Sequence, residues 1–493
     1  MTGNIVTEGD FAEGIRLNLN ATNTTINLIG SISTSGSLAP GILFNNGSNS
    51  NTTTISGNIS TIGNGSRGID VVEADSNTTT MTGNITTKGH GIHIYRGLSN
   101  TTTVSGNIST SGYFIDSVSL AESHSNITSI TGDILSQGEQ GRSLRILNSN
   151  SNTTSVFGNI TNTANFSYGI SLNGSNTNTT NVTGNIETQG RTSYAVHLLN
   201  SASNTTSITG NISTTNNDSD GIHLNNSDSN TVNMTGNTST LGSTASGISL
   251  ETSISNTLTN TGNVTTTGDN SYGIGLNNSD SNTVNMTGSI TTSGSTNSDA
   301  IRLNASDSNT INMTGDISTS AIYSQGFSIS DSGGNSIEMT GDITSSGESG
   351  VGIYMLRSDS NNYTMTGNIS TTDRFGYGFL LQTSEYNIVD VTGNISTEGS
   401  AAHGIYYFGD GYNTSYMRGN IHTSSNGAYG IHSNNSDSNI TAITGNVLTT
   451  GNSSYAVSFD TSHSNTTSII GNVTTTNESA YAIFLSGSDS NES

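Results

Sequence analysis

Residues 365–371 read Met-Thr-Gly-Asn-Ile-Ser-Thr, and close copies of this stretch recur from one end of the 493-residue chain to the other. The glycine of the motif occurs nineteen times, most often 26 residues apart and otherwise 23 or 27. A period held this tightly predicts a solenoid in which each copy forms one coil stacked on the next. The nineteen glycines are Gly3, Gly30, Gly57, Gly83, Gly106, Gly132, Gly158, Gly184, Gly210, Gly236, Gly262, Gly288, Gly315, Gly341, Gly367, Gly393, Gly419, Gly445 and Gly471.

Two further positions keep register with this glycine. An asparagine stands six residues before it in seventeen consecutive copies, and Gly-Ile-x-Leu, as at residues 221–224, usually begins eleven residues after it. The asparagine predicts a turn whose side-chain amide bonds to the backbone and to its copies in neighbouring coils. We therefore expect a structural ladder of buried amides. Members of this ladder in the middle of the chain are Asn204, Asn230, Asn256, Asn282 and Asn309.

Apolar and polar residues alternate within each copy, which is typical of β-strands. Val232 and Met234 share one parity, and Asn233 and Thr235 take the other. The Asn, Ser, Thr and Gly that dominate the chain have low helix propensity. The sequence predicts an all-β fold, a parallel β-helix or β-solenoid of about 19 coils of 26 residues with three short strands per coil. The repeated glycine is expected to face inward at a corner, where a side chain would meet the facing strands.

The repeat predicts one continuous domain over residues 1–493, a rod about 90 Å long at a strand spacing of about 4.8 Å. The motif Met1-Thr2-Gly3 matches internal copies, and the chain stops inside a copy. We therefore expect it to be a fragment truncated within a repeat at both ends. Any export signal, cap or membrane anchor would then lie outside it.

Charge and cysteine content exclude several classes of protein. The formal net charge is −24, the sequence pI is about 4.3, and there are eleven lysines and arginines. Such a chain is repelled by nucleic acids and anionic membranes, and it cannot build a phosphate-binding stripe. Disulfides and thiolate metal sites are impossible because there is no cysteine. We expect no nucleic-acid partner and no cofactor.

The motif also resembles a known family. Gly-Asn-Val-Thr-Thr at residues 262–266, followed by Tyr272-Gly273-Ile274, is similar to the repeats in the passenger region of bacterial autotransporters. The resemblance implies a right-handed parallel β-helix on the outer surface of Gram-negative bacteria. It further implies export through a C-terminal β-barrel outside this sequence, through which alone the protein would contact the membrane, and often a role as an adhesin. It carries over no catalytic residue, because no serine-protease signature is found.

Binding residues in a solenoid are expected where the outward positions depart from the consensus. Tyr386 and Tyr412 replace the serine that usually precedes the ladder asparagine, and Tyr406 and Tyr416 take other outward positions nearby. Tyr354 falls in the same stretch. Exposed aromatic residues can bind sugars or a partner protein, so these five tyrosines form the candidate ligand-binding site. Neutral variation of an unconstrained surface is the alternative interpretation.

Three other groups of residues were weighed as chemical sites. Aspartates two residues before the ladder asparagine, such as Asp280 and Asp307, suggest either turns or a calcium site. Asp316, Asp342 and Glu338 form the densest carboxylate group. His197 and His223 stand on adjacent coils and could pair on a metal. Structural explanations are simpler for all three, so we expect no catalytic residue and no metal site.

The sequence favours a non-enzymatic, surface-displayed β-helical rod that acts as an adhesin or a structural stalk. Its location would be the cell surface, at the outer membrane, or the extracellular medium after secretion. Its partner would be a glycan or protein receptor on a host cell or other surface. An alternative is a carbohydrate-binding β-helix such as a phage tailspike. A third is an ice-binding protein, which the regular outward Thr235 and Asn237 suggest.

Overall fold

The computed structural model describes residues 1–492, and the regular secondary structure among them consists of β-strands. The chain divides into two compact units, Met1–Thr240 and Leu241–Ser493, here called unit 1 and unit 2. Each is built from the same coil. The predicted all-β class is confirmed, whereas the single continuous domain stays a prediction.

Each coil contributes three strands in a fixed order. A five-residue strand is followed by a three-residue strand and then by a strand that has four residues in all but the first coil. Each pairs in parallel with the equivalent strand of the neighbouring coil, which gives three parallel sheets named A, B and C in that order. In sheet A, for example, Asn362 lies opposite Ile388 and Met365 opposite Val391. This register of one repeat confirms the predicted parallel β-solenoid of about 19 coils.

The strands of unit 1 fall into the three sheets as follows. Sheet A contains Thr25–Ile29, Thr52–Ser56, Thr78–Thr82, Thr101–Ser105, Ile127–Thr131, Thr153–Phe157, Thr179–Thr183, Thr205–Thr209 and Thr231–Thr235. Sheet B contains Ile5–Thr7, Ile32–Thr34, Ile59–Thr61, Ile85–Thr87, Ile108–Thr110, Ile134–Ser136, Ile160–Asn162, Ile186–Thr188, Ile212–Thr214 and Thr238–Thr240. Sheet C contains Ile15–Leu17, Ile42–Asn45, Ile69–Val72, Ile92–Tyr95, Val118–Ala121, Leu144–Leu147, Ile170–Asn173, Val196–Leu199 and Ile222–Asn225.

Unit 2 repeats this arrangement. Sheet A contains Thr257–Thr261, Thr283–Thr287, Thr310–Thr314, Ser336–Thr340, Asn362–Thr366, Ile388–Thr392, Thr414–Arg418, Ile440–Thr444 and Thr466–Ile470. Sheet B contains Val264–Thr266, Ile290–Thr292, Ile317–Thr319, Ile343–Ser345, Ile369–Thr371, Ile395–Thr397, Ile421–Thr423, Val447–Thr449 and Val473–Thr475. Sheet C contains Ile248–Glu251, Ile274–Asn277, Ile301–Asn304, Phe327–Ser330, Ile353–Leu356, Phe379–Gln382, Ile405–Phe408, Ile431–Asn434, Val457–Asp460 and Ile483–Ser486.

The core consists of alternate residues from all three sheets. In one stretch of the chain, for example, the fully buried residues are Val389 and Val391 of sheet A, Ile395 of sheet B, and Ile405 and Tyr407 of sheet C. Alternation of side chains along a strand places these residues on one face. Tyr407 occupies a position where most coils have leucine. Its hydroxyl lies 2.6 Å from the hydroxyl of Ser415, a small residue on sheet A that makes room for the ring.

The repeated glycine occupies a different environment from the one expected. Gly393 has a φ of +152°, is half-buried, and lies so close to the neighbouring coil that an added Cβ would overlap the carbonyl oxygen of Gly367. The prediction of an inward glycine facing other strands is therefore wrong. The position requires glycine because of its backbone conformation and the close approach of successive coils.

A column of threonines runs through the interior of unit 1 at the second position of the sheet A strands. The same position in unit 2 is mostly aliphatic, as at Leu258, Val284 and Ile311. Several of these hydroxyls have no hydrogen-bond partner among the described residues, including those of Thr128, Thr154 and Thr180. A buried hydroxyl without a partner costs stability. The column consists of Thr53, Thr79, Thr102, Thr128, Thr154, Thr180 and Thr206.

We expect Thr154→Val to stabilise the protein by about 1 kcal/mol, because valine keeps the shape and removes the unpartnered hydroxyl. The matched control is Thr188→Val, since the buried Thr188 hydroxyl donates to the carbonyl of Ser193 at 2.6 Å. That change should cost about 1 kcal/mol. Urea unfolding curves of the two variants measure both effects. An equal change in the free energy of unfolding of both variants would contradict this explanation.

Candidate functional site

The five ladder asparagines lie buried in the turn between sheets C and A. In unit 1, the backbone N–H and the side-chain amide of Asn204 both donate to Oδ1 of Asn230, at 2.9 and 3.0 Å. In unit 2, Asn256 donates in the same way to Asn282, and Asn282 to Asn309. The amide of Asn204 also donates to the carbonyl of Ser175. These residues therefore satisfy buried backbone groups and are not available to bind a ligand.

Two further ladders run through the coils and were missed in the sequence. A buried serine column repeats the pattern, with the backbone N–H of Ser332 donating to the hydroxyl of Ser358 at 3.1 Å. An exposed column follows the repeated glycine, where Oδ1 of Asn394 accepts the backbone N–H of Asn420 at 2.9 Å. Both columns keep the 26-residue register, which is the signal that could have identified them.

The same ladder geometry accounts for the aspartates. Oδ1 of Asp280 accepts the backbone N–H of Asp307 at 2.7 Å, and Oδ1 of Asp316 accepts that of Asp342 at 2.9 Å. Each carboxylate replaces an asparagine oxygen. Glu338 borders a cavity of about 320 Å³ over sheet A, whose lining includes neither Asp316 nor Asp342. The structure therefore does not gather these carboxylates into one pocket.

His197 and His223 lie opposite each other in sheet C, with ring centroids 5.4 Å apart. Both are buried, and Nδ1 of His223 lies 2.7 Å from the carboxylate of Asp220. Burial and the neighbouring His223 lower the pKa of His197 to about 3. In residues 1–492, no group of three or more histidines and carboxylates is placed to hold a metal ion.

The five candidate tyrosines do not form one patch. Tyr386 and Tyr412 stack at 5.2 Å in the turn between sheets C and A, and both are more than half exposed. Tyr354 and Tyr406 lie half-buried on the outer side of sheet C. Tyr416 projects from the outer side of sheet A. The coil distributes these tyrosines over three positions, and their role in ligand binding stays a prediction.

The outer side of sheet C differs from the other surfaces. The second residue of each sheet C strand belongs to a row that we call the central row. The residue two positions before each of these strands belongs to a parallel row, the flanking row. Side chains of the flanking row fold over the central row, as Tyr429 does on His432 with ring centroids 4.8 Å apart. This contact explains why His432 is only 8% exposed although it points away from the core. The outer positions of sheets A and B carry mostly Thr, Ser and Asn.

In unit 2, aromatic rings occupy the flanking row from Tyr377 to Tyr481 and several positions of the central row. The flanking row stacks Tyr377 on His403, His403 on Tyr429 and Tyr429 on Tyr455, at 5.3, 4.8 and 4.8 Å. Beside them, Tyr406 stacks on His432 of the central row at 4.8 Å. Offset stacking of this kind stabilises the surface, and it covers most ring faces with other rings. The ring edges remain available to a partner.

In unit 1, charged residues take several positions of the same two rows, whereas Tyr168 and Tyr194 stack in the flanking row at 5.4 Å. Asp70 lies 2.8 Å from Arg67 and 2.9 Å from Nδ1 of His93. Burial would raise the pKa of Asp70, but the hydrogen bond from His93 and the charge of Arg67 together hold it below its ordinary value. Asp116 lies 3.3 Å from Arg145. Sheet C therefore carries both charged groups and stacked rings in unit 1, and a longer run of stacked rings in unit 2.

Comparison with protein-family models, curated proteins and solved structures finds no match to the chain. No helix among the described residues is long and apolar enough to span a membrane. A function for this chain must therefore be inferred from its own surfaces, of which the outer side of sheet C is the most distinctive.

Asp410 is a buried carboxyl in the turn that follows strand Ile405–Phe408, at a position where most other coils have serine. Its Oδ1 accepts a hydrogen bond from the amide of Asn439 at 3.2 Å, whereas its Oδ2 has no partner among the described residues. Burial raises the pKa of Asp410 to about 7, against the opposing hydrogen bonds from Ser436 and Asn439. In the folded protein, the carboxyl of Asp410 therefore keeps its proton up to about neutral pH.

Between about pH 4 and pH 7 the folded state binds a proton at Asp410 that the unfolded chain has released, so stability falls as the pH rises. We expect Asp410→Ser and the isosteric Asp410→Asn to remove this loss. At pH 8 both should exceed the parent in free energy of unfolding by a few kcal/mol, at about 1.4 kcal/mol for each pKa unit. Unfolding curves at pH 4, 6 and 8 check this. A stability difference that is the same at all three would contradict a raised pKa.

Proposed function

We propose that this chain is the surface-displayed β-solenoid of an autotransporter-like protein and that it acts as an adhesin or structural stalk without catalysis. The observation that carries the proposal is the contrast between the surfaces of each coil. Sheets A and B repeat small polar residues outward, while sheet C concentrates aromatic and charged side chains in two ordered rows. A repeat scaffold with one differentiated surface suits display of a binding face.

Charge and composition support an extracellular location. A net charge of −24 favours solubility. Because the chain has no cysteine, its fold does not depend on the redox state of its surroundings. The hydrogen-bonded side-chain ladders tie each coil to the next without a metal or cofactor. Such a structure suits a protein that works outside the cell.

Antibodies raised against the purified chain test the location. We expect them to label intact cells of the source organism and expect externally added protease to remove the label. Labelling that requires permeabilised cells would reject surface display. For adhesion, purified chain should compete with the intact cells for binding to a host-cell layer. A chain with serine at Tyr406, His432 and Tyr455 should compete less well, whereas a chain with serine at Tyr386 and Tyr412 provides a matched control on another surface.

The aromatic rows of unit 2 also favour the second candidate, a carbohydrate-binding β-helix such as a phage tailspike. Aromatic side chains commonly contact the apolar faces of sugars. The same antibodies would then label phage particles instead of cells, and the neighbouring genes would encode phage tail proteins. Sequencing the DNA that flanks the gene separates these candidates.

A further inference from the structure

One coil of unit 2 has small side chains in and next to the flanking row on the outer side of sheet C. This coil, residues 341–366, has Val351 in the flanking row, between Gln325 of one neighbouring coil and Tyr377 of the other. Two residues earlier it has Ser349, where the neighbouring coils have Tyr323 and Phe375. Small side chains between large ones leave a notch about one coil wide.

The notch is a pocket of about 310 Å³. Leu380 and Val351 are buried residues of its lining, and Phe375, Tyr377 and Tyr354 border it with half-buried rings. The volume falls at the lower end of the range for small-molecule sites, which are mostly apolar with a few fixed polar groups. A ligand about the size of one or two sugar rings suits such a pocket.

Tyr377 is the ring at the end of the stacked row. His403 covers one of its faces, with centroids 5.3 Å apart and planes inclined by 20°. On the other side the next flanking residue is Val351, which has no ring to stack. The interior ring Tyr429 differs, because His403 and Tyr455 cover it on both sides. In this stretch of the row, the notch therefore offers an aromatic face that other rings do not occupy.

Polar groups with fixed positions surround this ring. The hydroxyl of Tyr354 donates to Oε1 of Gln382 at 2.9 Å, so its oxygen remains able to accept a hydrogen bond. The side chain of Gln325 accepts the backbone N–H of Val351 at 2.8 Å and donates to the carbonyl of Tyr323, which leaves its second N–H as a donor. Ser349 adds a hydroxyl to the lining.

We propose that this notch is a binding subsite for one uncharged pyranose ring, stacked on the open face of Tyr377. A pyranose has an apolar C–H face and a hydroxyl-bearing edge, which match the aromatic face and the surrounding polar groups. No residue of the lining carries a charge, and a net charge of −24 disfavours nucleotides and other anions. The subsite deepens the proposed adhesive function and rests on it, because it names the receptor chemistry as a neutral glycan.

The test uses the full chain with methyl glycosides of glucose, galactose, mannose and N-acetylglucosamine, observed by saturation-transfer NMR and titration calorimetry. We expect at least one glycoside to bind with a Kd on the order of 1 mM, which is a weak affinity. Tyr377→Ala should weaken that binding about tenfold, the equivalent of about 1.4 kcal/mol. The control Tyr429→Ala removes a ring covered on both sides and should leave the affinity unchanged.

A second variant fills the notch. Ser349 has a φ of 58°, and Tyr323 and Phe375 adopt nearly the same φ at the equivalent position, so Ser349→Phe should fold normally. It should abolish glycoside binding. The subsite is overturned if no glycoside binds, or if binding survives both Tyr377→Ala and Ser349→Phe. Failure of the proposed display function has a separate readout, the absence of the chain from the cell surface.

Discussion

Gly393→Ala is expected to destabilise unit 2 by about 3 kcal/mol or more. The glycine has a φ of +152°, a conformation that residues with a side chain rarely adopt, and the new Cβ would overlap the carbonyl of Gly367 in the neighbouring coil. Because that carbonyl belongs to the backbone, the clash can be relieved only by moving the coils apart. Separation would weaken the ladders on both sides of the corner.

Gly427→Ala provides the matched control, because Gly427 also has a positive φ, +66°, but no heavy atom lies within 4 Å of an added Cβ. That change should cost only about 1 kcal/mol. Urea unfolding followed by circular dichroism gives the two stabilities, and hydrogen exchange shows whether the coils around Gly393 open first. If both substitutions cost the same free energy, the close approach of the coils is not the reason that glycine is required at position 393.

Asn387→Ala is expected to cost about 3–5 kcal/mol, at about 1–3 kcal/mol for each buried group that loses its partner. The side chain of Asn387 donates to the carbonyl of Ser358 at 2.7 Å and to Oδ1 of Asn413 at 3.0 Å. It also accepts the backbone N–H and the side-chain amide of Asn361, at 2.9 and 3.0 Å. Alanine would leave these groups buried without partners, since water cannot replace the lost amide without opening the turn.

Asn394→Ala tests whether burial causes this cost. Asn394 belongs to the same coil and accepts the equivalent pair of hydrogen bonds from Asn420, at 2.9 and 3.2 Å. It is exposed, so water can take over both bonds, and we expect a loss below about 1 kcal/mol. Thermal unfolding of both variants measures the difference. If Asn394→Ala loses as much stability as Asn387→Ala, the ladder hydrogen bonds stabilise the coil whether or not they are buried.

The interior of the coil could be predicted because each position stacks on its own copy. A residue such as Ile395 lies next to Ile421 in sheet B, so the environment of one copy is set by residues 26 positions away in the same sequence. The period-two alternation then assigns which residues are buried. The same reasoning identified the asparagine ladder, and it could have identified the serine ladder as well.

The flanking row could not be assigned in this way. The alternation places Tyr377 and Tyr429 with the inward residues, but the structure places them half-buried over the outer side of sheet C. These residues lie in the loop before the strand, where the backbone no longer alternates like a strand. Their orientation depends on the space above the central row, which is a property of the folded coil.

The sequence by itself determined the repeat, the three strands, the inward columns and the buried asparagine ladder, because these depend on register and local alternation. Only the tertiary structure decided which glycine contact excludes a side chain, why the carboxyl of Asp410 keeps its proton, and where the tyrosines lie. It also produced the notch beside Tyr377, which exists because Ser349 and Val351 are small between larger neighbours. Each of these depends on distances between adjacent coils, and a linear pattern does not contain them.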